Sequence, residues 1–87
     1  MNMWYVYILQ CVDNSLYTGI AKDVSRRLSE HNNGKGGKYT RIRTPLILAY
    51  KESHPNRSEA LRREAQIKRW PKDKKLMLIK SDLGDNV

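Results

Sequence analysis

The chain has 87 residues, 39% of them hydrophobic and 30% charged, with a net charge of +8 and an isoelectric point near 9.9. So short a chain makes a single small domain that buries only about 60% of its unfolded surface. No apolar run approaches the roughly 18 residues of a membrane span, and the lone Cys11 excludes an internal disulfide and a thiolate zinc site, which suits a reducing cytosol. The N-terminal apolar run is short, alternates and lacks a basic leader, so a secretory signal is not expected. The cationic excess favours a polyanionic partner, nucleic acid before an anionic membrane, because no basic helix carries a broad apolar face with aromatic anchors.

Tyr5-Val6-Tyr7-Ile8-Leu9 and Leu16-Tyr17-Thr18-Gly19-Ile20 are rich in aromatic and β-branched residues and read as strands, with turn chemistry between them in Asp13-Asn14-Ser15. A three-residue loop, Val12-Asp13-Asn14 with Asn14 left-handed, pairs Cys11 with Ser15 and Leu9 with Tyr17, and puts Tyr5, Tyr7 and Tyr17 on one face. A two-residue loop puts Tyr17 on the face opposite Tyr7, since a one-residue slip inverts a strand. The residues alone leave both registers open. The hairpin carries no Lys or Arg, and every Lys and Arg except Lys80 lies between Lys22 and Lys75. The basic surface therefore belongs to helices and loops.

Asp23 is a good N-cap, and Val24, Leu28 and His31 follow at helical spacing until Asn32-Asn33-Gly34 ends the pattern. Arg27 lies one turn before His31 on the Val24 face, and Arg26 pairs with Glu30 at i, i+4. An arginine so placed is as often a snorkelling rim residue as a functional one. The stretch from Gly34 to Pro45 is too rich in glycine and cations for a stable element and reads as a loop able to wrap a polyanion. Lys35, Lys38, Arg41 and Arg43 supply charge beside the stacking ring of Tyr39. It is no nucleotide-binding P-loop, because Gly36 stands where Ser or Thr is required.

Leu46-Ile47-Leu48-Ala49-Tyr50 is a near-continuous apolar run and the expected third strand. His54 follows in an exposed Ser-His-Pro loop. Asn56 with Glu59 makes a capping-box start for a second helix, on whose inward stripe Glu64 falls between Ala60 and Ile67. A carboxylate there needs a cation, a metal ion or a hydrogen-bond donor, and a structural salt bridge meets that need as well as a metal does. Trp70-Pro71 breaks this helix with Trp70 packed at the junction. Pro71 opens a third helix to about Lys80, with Leu76, Met77 and Ile79 available for burial. Residues 1–80 are read as one domain and 81–87 as a polar, frayed tail.

Tyr5-Val6-Tyr7 and Tyr17-Thr18-Gly19, ten positions apart, followed by Arg27 and Glu64, resemble the GIY-YIG nuclease domain. The resemblance runs from about Trp4 to about Ile79 and is closest to small stand-alone members. Tyr5 stands where the motif has its first glycine and Thr18 where it has isoleucine, and neither position is expected to carry chemistry. The fold this implies is α+β, a three-stranded antiparallel sheet flanked by three helices in the order β-β-α-β-α-α. The tyrosine face is expected open to solvent, and the three-residue loop becomes the expected register.

The resemblance implies a metal-dependent endonuclease or DNA-processing enzyme that hydrolyses phosphodiester bonds. Its arginine, ten positions after the second tyrosine, contacts phosphate, and Tyr17 and Arg27 have that spacing. Its single metal-binding glutamate lies in a helix of local sequence Ala-Leu-Arg-x-Glu, which matches Glu64. The expected site is therefore Tyr17 as general base, Arg27 on the scissile phosphate and Glu64 holding one Mg²⁺ or Mn²⁺, with His31 orienting or deprotonating Tyr17 and Tyr7 positioning water or phosphate. An unperturbed tyrosine titrates near about 10, so Tyr17 needs a neighbour that favours phenolate. Lys22, Arg26, Lys35, Lys38, Tyr39, Arg41 and Arg43 are the expected nucleic-acid contacts, with DNA ahead of RNA and a protein partner supplying target selection. The rival readings are a nucleic-acid-binding module without turnover and a small interaction protein.

Overall fold

In the computed structural model, which describes residues 3–84, strand β1 (Trp4–Gln10) is central, between β2 (Leu16–Ala21) and β3 (Ile47–His54) in an antiparallel sheet of order β2-β1-β3. The hairpin takes the three-residue form. Leu9 pairs with Tyr17, the Cys11 N–H donates to the Ser15 carbonyl at 2.9 Å, and Asn14 sits at φ 68°. Asp13 fixes the turn by accepting from both the backbone N–H and the hydroxyl of Ser15.

β1 is buried on both faces, which explains its near-continuous apolar character. Val6 and Ile8 pack with Ala60 and Ile67 of α3 (Arg57–Lys68), and Trp70, Leu78 and Ile79 close over them. Tyr7, Leu9 and Cys11 pack on the other face with Ala21, Val24 and Leu46. The tyrosine face is thus not open to solvent. α1 (Val24–Asn32) and the single turn α2 (Lys38–Arg41) cover it, and Tyr7 is only 1% exposed. A tyrosine ring is a large apolar body that gains from burial once its hydroxyl finds a partner.

Other boundaries differ from expectation for local reasons. Lys38–Arg41 forms helix rather than loop because Gly37, at φ 131°, turns the chain and accepts the Arg41 N–H, while Thr40 anchors the turn inward. β3 begins after the buried Leu46 and continues through Lys51, Glu52, Ser53 and His54, since an edge strand tolerates polar residues on its open side. Its register slips between Ile8–Tyr50 and Leu9–Leu48, leaving Ala49 as the extra residue of a bulge. His54 is not exposed: it is half-buried and bonded to Glu52. In α4 (Lys72–Gly84), Leu78 and Ile79 face the core while Leu76 and Met77 are exposed. That helix carries Ser81–Gly84 beyond the expected end near Lys80, and residues 85–87 of the tail lie outside the described residues.

The remaining helix signals hold. Asp23 accepts from the Arg26 N–H at 3.0 Å and Asn56 from the Glu59 N–H at 2.9 Å, each satisfying an N-terminal donor. No helix among the described residues is long and apolar enough to cross a membrane.

Candidate active site

Cross-strand pairing brings Tyr7 opposite Gly19 and Leu9 opposite Tyr17, so the two tyrosine rings lie diagonally on one face, 6.4 Å apart. α1 enters over them. His31, fully buried, bonds the Tyr7 hydroxyl through Nε2 at 3.1 Å and the Thr40 hydroxyl through Nδ1 at 2.8 Å. Thr40 Oγ1 in turn donates to the Gly37 carbonyl at 3.5 Å. A neutral imidazole donates through one ring nitrogen and accepts through the other, so the two bonds together fix the ring against both Tyr7 and Thr40.

The titration behaviour follows from this enclosure. Burial pushes the Tyr7 hydroxyl up to about 12, with the neighbouring Tyr17 and the Glu64 carboxylate adding and the Arg27 guanidinium opposing. Burial likewise holds His31 below its ordinary value, helped by the Arg27 charge. Tyr7 is therefore a neutral phenol locked to a neutral imidazole. It is Tyr7, not Tyr17, that His31 orients.

Tyr17 is half-buried, and its hydroxyl makes no hydrogen bond among the described residues. Its ring meets His31 edge-on at 5.0 Å and stacks on Tyr39 at 6.2 Å, and the Arg43 guanidinium caps Tyr39 at 3.9 Å. Arg27 reaches the same region with its side chain 35% exposed. Its guanidinium donates to Glu30 at 3.0 Å and to the Gly36 carbonyl at 3.3 Å, and the Glu30 bond holds it firmly charged. Glu64 approaches from α3, 18% exposed, with Lys68 at 3.3 Å as its ion-pair partner. Its charge is felt at Tyr7, where it adds to the upward shift.

Of the expected polyanion contacts, Lys22, Arg26, Lys35, Lys38 and Arg41 are exposed, and Tyr39 is 42% exposed. Arg43 is more committed. It bonds Asp13 at 3.1 Å and the Tyr39 carbonyl at 2.9 Å, tying the hairpin turn to α2. Lys22 lies over the Trp4 ring and Arg26 pairs with Glu30 at 3.6 Å.

Nothing in the sequence points directly to the roles of Thr40, Gly36 or Asn32, or to the bond between Glu30 and Arg27. Asn32 brackets the backbone of Leu46 with two hydrogen bonds at 3.0 and 2.7 Å and so sets where β3 begins. A Cβ on Gly36 would lie 1.9 Å from His31 Nδ1, so only glycine lets that backbone cross the imidazole. The readable clue was the Gly36-Gly37 pair just before Lys38-Tyr39-Thr40, a sign of close backbone approach rather than of flexibility.

A family model described as the GIY-YIG catalytic domain matches residues 3–77. The chain belongs to the GIY-YIG family. Its relatives include UPF0213 proteins of similar length. That of Staphylococcus saprophyticus is 53% identical over 79 residues, covering 91% of this chain and 96% of its own. That of Staphylococcus aureus is 52% identical over 80 residues, covering 92% and 98%. Among solved structures, the UPF0213 protein of Bacillus halodurans superimposes with a TM-score of 0.58 at 45% identity over 90% of this chain and 83% of that one. A protein of E. faecalis superimposes at 0.64 with 38% identity, covering 93% and 86%. GIY-YIG membership supports nuclease-type chemistry in general, and the tyrosine pair described above lies within the matched residues.

Glu64 is the side chain here that could hold a hard divalent ion. Among the described residues no three His, Cys, Asp or Glu side chains cluster as a cage, and Glu64 presents one partly buried carboxylate, paired in this structure with Lys68. A single carboxylate with water and phosphate oxygens filling the other positions is the pattern of Mg²⁺ or Mn²⁺, which dehydrate reluctantly.

Proposed function

We propose that this chain is a metal-dependent endonuclease that hydrolyses phosphodiester bonds in DNA, with Tyr17, Arg27 and Glu64 as its working residues. The observation that carries the reading is the division of labour between two tyrosines. Tyr7 is buried, bonded to His31 and pushed up to about 12, which unfits it as a base. Tyr17, beside it, keeps its hydroxyl free at a half-buried surface, where a water lined up on a phosphate could be reached.

In this reading the Tyr17 phenolate, a form that the Arg27 guanidinium and a bound divalent ion would favour, takes the proton of the attacking water and becomes the neutral phenol. Arg27, a planar fork charged at all working pH values, exchanges its Glu30 and Gly36 contacts for the phosphoryl oxygens. Glu64 holds the ion. When bound, a hard divalent ion would neutralise charge on the phosphate and aid the leaving oxygen. The Tyr7–His31–Thr40 chain holds the sheet face and α2 in a fixed relation, so that Tyr17 meets the substrate without reorganisation. The exposed cations Lys22, Arg26, Lys35, Lys38 and Arg41 hold the flanking backbone. A partner protein would supply target selection.

The test is cleavage of branched, single-stranded and duplex DNA with Mg²⁺ or Mn²⁺. Wild type cuts at least one, Glu64→Ala and Arg27→Ala abolish cutting while retaining most DNA binding, and Tyr17→Phe loses the rate with the fold intact. Wild-type inactivity on every substrate and metal would leave a binding module without turnover. Cutting by Tyr17→Phe at the wild-type rate would make Tyr17 a packing residue.

A further inference from the structure

A second cleft lies at the free edge of β2, about 300 Å³ in volume and lined by Leu16, Tyr17, Thr18, Tyr39, Lys68 and Lys75. That volume is at the small end of ligand pockets, which run from roughly 300 to 1,000 Å³. Its walls combine two aromatic rings with two ammonium groups. It also contains an oddity. Thr18 is 4% exposed, and its hydroxyl is the one buried side-chain polar atom with no partner among the described residues.

Such an orphan hydroxyl destabilises the free fold, because burial strips its water and nothing replaces it. Valine, of nearly the same shape, would fill the same space without that penalty. A threonine there is explained if something else completes its hydrogen bond. The edge strand adds further capacity. Since the Cys11 N–H bonds the Ser15 carbonyl, the antiparallel alternation turns the backbone polar groups of Leu16 and Thr18 away from β1, toward the edge the cleft occupies.

We propose that this cleft is a subsite for one nucleotide, whose phosphate lies between Lys68 and Lys75, whose base packs against Tyr39 and Leu16, and whose base edge bonds the Thr18 hydroxyl. The aromatic wall suits a flat heterocycle and the two lysines suit its phosphate. Tyr17 lines the cleft as well as the site above it, so the nucleotide held here neighbours the scissile phosphate. Lys68 connects the two, because in the free protein its amino group pairs with Glu64. A phosphate in the cleft draws Lys68 away and leaves the Glu64 carboxylate open. The inference rests on the nuclease reading only for what lies next door, and binding to the cleft itself does not require turnover.

The experiment is a titration of the whole chain, without metal, with deoxythymidine monophosphate, compared with thymidine and with inorganic phosphate. Saturable one-site binding at least tenfold tighter than either fragment is expected. Lys68→Ala with Lys75→Ala should weaken it tenfold or more. Thr18→Val should weaken it severalfold while melting at or above the wild-type temperature, and Thr18→Ser should restore it. That pairing of lower affinity with undiminished stability is a signature packing alone does not produce. Equal binding by Thr18→Val, or equal affinity for phosphate alone, overturns the subsite. Nucleotide binding with this Thr18 dependence in a protein that cuts no DNA would sink the nuclease reading and leave the subsite standing. DNA cleavage by a protein that binds no mononucleotide would do the reverse.

Discussion

The Tyr7 ring lies so close over Gly19 that a Cβ added at position 19 would be 2.6 Å from the phenolic oxygen and 2.7 Å from the carbon that bears it. The glycine of the second motif is thus a complement to the tyrosine of the first. Its backbone needs no left-handed conformation; it needs an absent side chain. Gly19→Ala should push the Tyr7 ring off its mark and break the bond to His31, at a cost of roughly 1–3 kcal/mol, the usual range for overpacking. Urea unfolding measures the loss, and cleavage should fall even where the protein remains folded. An alanine variant of wild-type stability and activity would mean that the ring has somewhere else to go.

Two titrations should bracket the stability of the fold. The His31 value is lowered on folding, so the unfolded chain takes up that proton first; the contribution is complete above about 6.5 and lost as pH falls below it. The Tyr7 value is raised to about 12, so its contribution is complete below about 10 and lost as pH rises from there toward 12, on the order of 2 kcal/mol in all. Tyr50, also pushed up to about 12 by burial and by Glu52, titrates in the same alkaline window. Urea unfolding across pH with Tyr7→Phe and Tyr50→Phe separates the two. A flat alkaline limb in wild type would show that neither hydroxyl is held as described.

Strand periodicity, the Asp-Asn-Ser turn and both helix N-caps were legible in the sequence because each is decided within a few residues. Asn14 at φ 68° follows from turn chemistry, and Glu59 donates its N–H to Asn56 as the spacing predicts. What covers the tyrosines was not legible. The stretch from Gly34 to Pro45 looks like flexible loop by composition, yet Gly36 and Gly37 are there so that the backbone can cross His31 and start α2. That close approach depends on where the bond to Tyr7, twenty-four residues away in the chain, holds the His31 ring, and the Gly36-Gly37 pair only hints at it. Arg43 was read as a free cation for the same reason: only the fold brings Asp13, thirty residues away, to its side.

On β3, the other edge of the sheet, Glu52 gathers Tyr50 at 2.7 Å, His54, and Arg63 of α3 at 3.0 Å. Burial alone would raise the Glu52 carboxyl, but the bonds from Tyr50, His54 and Arg63 outweigh it and leave it below the ordinary range. This cluster fastens α3, and so Glu64, to the sheet. Arg63→Met removes the cationic partner of a largely buried carboxylate and should lower stability by about 1–3 kcal/mol. Arg63 also lies over the Trp70 ring, so part of the loss will come from that contact. DNA affinity should be unchanged, as measured by binding at temperatures where both proteins are folded. A matched loss of affinity would place Arg63 at the DNA rather than in the scaffold.

The exposed cations make the last prediction, which concerns how DNA is held rather than how it is cut. Lys35, Lys38 and Arg41 make no ion pair among the described residues and flank the site on the α2 side, while Arg43 is tied to Asp13 and Tyr39. Each lysine or arginine that meets a phosphate releases about 0.9 condensed counterion from duplex DNA, so log affinity should fall linearly with log salt. Lys35→Ala with Lys38→Ala should therefore reduce the slope by about 2 and weaken all sequences alike. Arg43→Ala should behave differently. It loosens the link between the hairpin turn and α2, lowering stability with a smaller change in slope than either lysine gives. Equilibrium binding to duplexes of different sequence across a salt series distinguishes these outcomes. A slope unchanged in the lysine variant, or a base preference lost with it, would show that phosphates are held by some other surface.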